Sequence, residues 1–143
     1  MPPRKLTIAS VLTLASSLGA SAQTLTATVK DVRNAKGDLI IAVFDEAKPF
    51  EAMDMTNAAA LAAVPAVEGQ VSVTFHNLPL GKYAIAAIHD ENRNSNLDTD
   101  KDVPTEGYGF GGMGRSGLPP EFADAAVAVG TGATGNLKLK YWK

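Results

Sequence analysis

From residue 24 onward the chain alternates apolar and polar side chains. Leu25, Ala27 and Val29 are interleaved with Thr24, Thr26, Thr28 and Lys30, the period of two that gives a strand one buried and one solvated face. Asn34-Ala35-Lys36-Gly37 follows as a turn, with Gly37 suited to a left-handed backbone position. Leu39-Ile40-Ile41-Ala42-Val43-Phe44 is then an unbroken apolar run, as in a strand covered on both faces. Together the two segments read as a hairpin.

The pattern breaks over residues 46–64. The Ala-rich stretch 57–64, between Pro49 and Pro65, predicts a turn or two of helix capped by Thr56 or Asn57. Phe50, Met53 and Met55 are expected to pack onto the sheets, the methionines as gap-fillers rather than ligands. Val71, Val73 and Phe75 alternate with Ser72, Thr74 and His76 in a half-exposed strand. Asn77-Leu78-Pro79-Leu80-Gly81 is a compact turn, and Tyr83 to Ile88 form a strand apolar on both faces. A long loop occupies 91–122. Residues 125–129 and 137–142 supply two final strands, with Leu137, Leu139 and Tyr141 facing inward. Six or seven short strands separated by turns predict an all-β fold, a single antiparallel β-sandwich of about seven strands with a long Asn/Asp- and Gly-rich loop and a short helix.

Composition adds an address. Arg4 and Lys5 precede a mostly apolar stretch at 6–18, and Ala20-Ser21-Ala22 offers a small-residue cleavage site, so residues 1–22 read as a secretory signal peptide. The mature domain would run 23–143, periplasmic or secreted, without a transmembrane span. The 143 residues contain 13 Lys+Arg, 15 Asp+Glu and no cysteine. That balance argues against nucleic acid as a partner and removes disulfides and thiolate chemistry. The partner expected is an unknown one in the envelope or outside the cell.

One stretch carries candidate chemistry. From Asp90 to Asp102, Asp or Asn recurs at every second position, and oxygen ligands so spaced on a curled loop can converge on one hard cation. Counting Asp90 as position 1 of a calcium loop puts Asn92 at 3, Asn94 at 5, Asn96 at 7 and Asp98 at 9. These five are the candidate calcium ligands. Ser95 replaces the glycine of position 6 and Lys101 the bidentate glutamate of position 12, so a principal carboxylate is missing unless Asp100, Asp102 or Glu106 folds in. The expected affinity is in the weak class of about 10⁻⁴–10⁻³ M. The same residues also suit a metal-free loop whose side chains cap their own backbone in Asx-turns.

Gly107, Gly109 and Gly112 form a formal G-x-G-x-x-G, but without a βα unit around it the match specifies no dinucleotide site. Glycines there permit tight packing while Tyr108 and Phe110 fill the core edge. His89 beside Asp90, with Glu106, is the one constellation that suggests a hydrolase. No strained serine elbow accompanies it, and a non-enzyme is the expectation.

Residues 77–85 (Asn-Leu-Pro-Leu-Gly-Lys-Tyr-Ala-Ile), His89-Asp90-Glu91-Asn92, Asn94, Leu97-Asp98 and Pro104-Thr105-Glu106-Gly107-Tyr108-Gly109-Phe110 resemble a bacterial exported family known as domain of unknown function 2141. The resemblance spans nearly all of the mature domain and departs at Gly112-Met113-Gly114, where a more polar segment is expected. It implies a secreted or envelope β-sandwich similar to transthyretin-like or immunoglobulin-like modules, and supplies no activity. The function expected is an exported binding or structural module with a calcium-binding loop. A metal-free envelope interaction domain and a hydrolase using His89, Asp90 and Glu106 are the alternatives.

Overall fold

The first alternating segment becomes β1 (Gln23–Val32), with Leu25, Ala27 and Val29 fully buried and the threonines on the opposite face. The structure, a computed structural model, describes residues 23–114, 117–130 and 132–142. The leader read at 1–22 lies outside the described residues. The apolar run becomes β2 (Asp38–Phe44), buried at every position after Asp38.

β1 and β2 do not form the expected hairpin. β1 lies between β4 (Gly69–Leu78), antiparallel to it, and β10 (Ala133–Lys138), parallel to it. β2 lies between β3 (Ala60–Pro65) and β5 (Lys82–Asp90), both antiparallel. The switch occurs where Asp31 adopts φ 62° at a slip in the β1–β4 register and Gly37 adopts φ 66°. Two left-handed residues this close turn the chain out of one sheet and into the other.

Leu25, Ala27 and Val29 of β1 pack with Leu39, Ile41 and Val43 of β2 and with Ile85 and Ala87 of β5 in one core shared by the two larger sheets. The alternate residues of β2 and β5, including Ala42, Phe44, Ala84 and Ala86, build a second core with Phe50 and Phe110. Phe50, on α1 (Ala47–Glu51), meets Phe44 and Phe110 edge-on at 5.8 and 5.3 Å. This second layer is why β2 and β5 are apolar on both faces. Met53 and Met55 lie partly buried against it.

Three more expectations need correction. The stretch 57–64 is not helical. A single 3₁₀ turn (Met55–Asn57) leads into β3, where Ala60, Ala62 and Val64 face the core and Leu61 stays 53% exposed. Pairing with β2 overrides the helical preference of alanine. The loop 91–122 contains the small ladder β6 (Thr99–Asp100) with β7 (Val103–Pro104), and then β8 (Gly107–Phe110), which pairs with β5. In place of a strand over 125–129 there is a helical turn α2 (Phe122–Ala125) and a short β9 (Val127–Ala128), and the last strand, β10, ends at Lys138. Leu137 and Leu139 are buried as expected, with Tyr141 partly so.

The fold is therefore mostly β with several antiparallel pairings, as the alternation indicated, and its strands are distributed over three sheets. The sheets run β10-β1-β4, β3-β2-β5-β8 with β9 added to β5, and β6-β7. Among the described residues no helix is long and apolar enough to cross a membrane.

A Cβ on Gly37 would collide with the Asp90 carbonyl and the Glu91 backbone. Gly37→Ala should therefore cost at least about 2 kcal/mol in denaturant or thermal unfolding. Gly114→Ala, where a Cβ meets nothing, should stay within about 0.5 kcal/mol.

Candidate functional site

β5 ends on His89 and Asp90, both buried, at 0% and 2% exposure. Their strand neighbours fix them in place, with Leu39 of β2 opposite His89 on one side and Gly107 of β8 on the other. The loop from Glu91 to Glu106 thus closes between two adjacent strands.

Asp90 organises the first half of that loop. Its Oδ1 accepts the Asn94 N–H at 3.1 Å and its Oδ2 the Ser95 N–H at 2.8 Å, while its carbonyl accepts the Arg93 N–H at 3.3 Å. Arg93 and Ser95 have φ 57° and 66°, so the curl uses left-handed backbone without glycine, and the Asp90 bonds offset part of that strain. Asn92 Oδ1 accepts from Asn94 N–H and Asn94 Oδ1 from Asn96 N–H, at 3.2 and 3.0 Å. These are Asx-turns.

Glu106, 4% exposed, closes the second half. Its two carboxylate oxygens accept the Glu91 N–H at 2.9 Å and the Asp98 N–H at 3.1 Å. Burial pushes this carboxyl above its usual range, with the nearby Asp98 charge adding to it and the backbone N–H groups of Asp98, Glu91 and Asn92 opposing. Thr105 donates its N–H to the Asp98 carbonyl at 2.9 Å. The sequence count left Glu106 as one of three residues able to fold in; its two oxygens here bond backbone N–H groups of the loop. Lys101 and Asp102 instead form the exposed left-handed turn of the β6–β7 ladder, with φ 52° and 66°.

Of the five expected ligands, Asn92 and Asn94 converge on Asp98. Their amide nitrogens each donate to one Asp98 oxygen at 2.6 Å. Asp90 lies under the same turn through the Asn94 N–H. The Asn96 side chain turns away, its amide donating to the Asn94 carbonyl at 3.2 Å. Among the described residues no three His, Cys, Asp or Glu side chains come together as a metal-holding group.

A second network ties the loop to the rest of the molecule, and sequence reasoning missed it. Arg33 makes a two-pronged pair with Glu91 (Nη2–Oε1 2.7 Å, Nε–Oε2 3.1 Å), and Asn34 donates to Glu91 Oε2 at 2.7 Å. These bonds, Arg33 first, hold the Glu91 carboxyl below its usual range against the effect of burial. The Arg33 guanidinium lies 4.4 Å over the Tyr141 ring. His89 Nδ1 is 2.8 Å from the Tyr141 hydroxyl and Nε2 is 2.8 Å from the Lys36 carbonyl. Only a protonated Nε2 bonds a carbonyl, so in the neutral ring Nδ1 accepts from Tyr141. Burial raises the tyrosine's pKa, so it keeps that hydrogen. The one sequence signal for this network was the inward face of Tyr141, because contacts 52 and 58 residues apart leave no local pattern.

A bacterial family described as "Uncharacterized protein conserved in bacteria (DUF2141)" matches over residues 27–136. No curated protein and no solved structure matches the chain.

The two shifted carboxyls act oppositely on stability. The Glu91 pKa is lowered by folding, so its contribution is present above about pH 4.5 and is lost as pH falls through the folded value. The Glu106 pKa is raised, so its contribution is full below about pH 4.5 and is lost as pH rises through the folded value. Melting curves across pH 3–7 should show a shallower acid limb for Glu91→Gln than for the parent, with about 1 kcal/mol lost at pH 7. Glu106→Gln should destabilise by about 1–3 kcal/mol, because its amide nitrogen faces an N–H donor.

Proposed function

The chain belongs to that bacterial family, and from this starting point we propose that it is an exported β-module that binds rather than catalyses, with a calcium site in the loop 90–98. The observation that carries the ion reading is the convergence of positions 3 and 5 on position 9. Asn92 and Asn94 both reach Asp98 through their amide nitrogens, which gathers three of the five loop positions that would surround one cation. Amide oxygen and nitrogen exchange places by a 180° rotation, which would turn both amides into oxygen donors beside the Asp98 carboxylate. Rotation gives up the two Asx bonds to Asn94 and Asn96 N–H and the two amide bonds to Asp98, and coordination to calcium must outweigh all four. Asp90 retains lone pairs beside its two N–H contacts. A mixed amide, carbonyl and carboxylate set belongs to the weak extracellular class.

The hydrolase alternative draws less support. His89 is fully buried with both ring nitrogens bonded, and the oxygens of Asp90 and Glu106 face backbone N–H groups. A general base must reach a substrate proton, and these groups hold the loop instead. The two larger sheets around a shared core support the immunoglobulin- or transthyretin-like sandwich as the finer description of the fold. Export rests on the sequence of residues 1–22, and protein recovered from the periplasm or medium should begin at Gln23. Recovery with Met1 retained would count against the leader.

A ligand that binds only the folded state stabilises it by RT ln(1 + [L]/Kd). Calcium at roughly 10 mM should add about 1.4–2.7 kcal/mol. That corresponds to a melting shift on the order of 4–15 °C. Asp98→Asn should remove most of the shift, Asp124→Asn should keep it, and magnesium should give much less. Identical curves in chelator and in calcium would leave the Asx-turn loop, without metal, as the account.

A further inference from the structure

The outward face of the β10-β1-β4 sheet is an ordered, acid-free polar array. The register sets Thr134, Thr26 and Thr74 side by side across the three strands. The next row is Asn136, Thr28 and Ser72, and the third is Lys138, Lys30 and Gln70. Rows are about 6.7 Å apart along the strands and neighbours about 4.8 Å apart across them. Thr26 and Thr74 share a hydroxyl–hydroxyl hydrogen bond of 2.8 Å, as do Thr28 and Ser72. Each pair uses one hydroxyl hydrogen and leaves the other to point outward, from a fixed position.

The third row is the informative one. Lys30 and Lys138 are Cα partners on adjacent strands, and like charges directly opposite one another repel. Among the described residues neither has an acidic partner in an ion pair. The chain as a whole has more Asp and Glu than Lys and Arg, yet no position of the array is acidic. A carboxylate seated between the two ammonium groups would relieve the repulsion.

We propose that this face binds an acidic polysaccharide, its carboxylates on the Lys30–Lys138 row and its hydroxyls on the threonine rows. The array carries no aromatic or aliphatic side chain, so it lacks the apolar anchors of a protein interface. Two lysines fall short of the four to eight basic residues of an anionic-membrane patch. A flat face grips a small sugar poorly, whereas a repeating chain multiplies weak contacts.

Affinity electrophoresis in native gels containing carboxymethyl-dextran or unmodified dextran separates the terms, each mobility taken relative to a plain gel. The parent protein should be retarded by carboxymethyl-dextran, less so at high salt, and not by dextran. In Lys30→Gln/Lys138→Gln the apparent dissociation constant should rise roughly tenfold or more, with a melting temperature equal to or above the parent's. Thr28→Val, which keeps the β-branched shape, should weaken binding without loss of fold. Absence of retardation, equal retardation by dextran, or a double variant that folds and binds like the parent would each overturn the proposal. So would binding to phosphatidylglycerol vesicles that the double variant loses.

Discussion

A carboxylate taken out of water must find donors in the protein, because an unsatisfied one costs several kcal/mol. Asp90 and Glu106 both meet this constraint with backbone N–H groups, and the loop between them takes its shape from that requirement. Asp90 draws in the amides of Asn94 and Ser95, and Glu106 those of Glu91 and Asp98. Together they curl the first turn and bring Asp98 back beneath it. The asparagines then arrange themselves around Asp98. The same two carboxylates therefore explain why left-handed backbone at Arg93 and Ser95 is tolerated and why the side chains at alternate positions meet.

The loop is also braced from outside. The turn between β1 and β2 lies against it so closely that Gly37 admits no side chain. From that turn Arg33 and Asn34 hold Glu91, and Lys36 accepts from His89. Tyr141, near the end of the chain, completes the ring through His89 and the Arg33 cation–π contact. Histidine and tyrosine are here fixed parts of a frame. Such bracing from three separate segments suits a loop that presents its donors in one geometry, since pre-organisation lowers the ordering cost of binding.

Much of the fold was legible because period-two alternation and unbroken apolar runs report burial directly. β1, β2, β4 and β5 lie where those patterns put them. Pairing was less legible, since alternation at 24–30 states which face is buried and not which strand lies alongside. The chain changes sheets through Asp31 and Gly37, and neither residue alone distinguishes that from a hairpin. Alanines at 58–60 and 62–63 suggested helix because local preference was all that the sequence displayed, whereas the partner strand β2 decides their state. Glycines hid β8 in the same way, their poor strand preference being offset by the room they give to Tyr141 and the Lys138 carbonyl. At the site, the spacing of Asp90, Asn92, Asn94 and Asp98 revealed a curled loop. The long-range partners Arg33, Glu91 and Tyr141 left no such trace.

The central claim is that Asp90 and Glu106 by themselves hold the loop in its curl, with no ion required. Amide hydrogen exchange on calcium-free protein measures this residue by residue. The account predicts that the N–H groups of Glu91, Asn94, Ser95 and Asp98 are protected, while those of Lys101 and Asp102, in the exposed turn, exchange freely. Exchange of all six at the rate of an unstructured chain would contradict it.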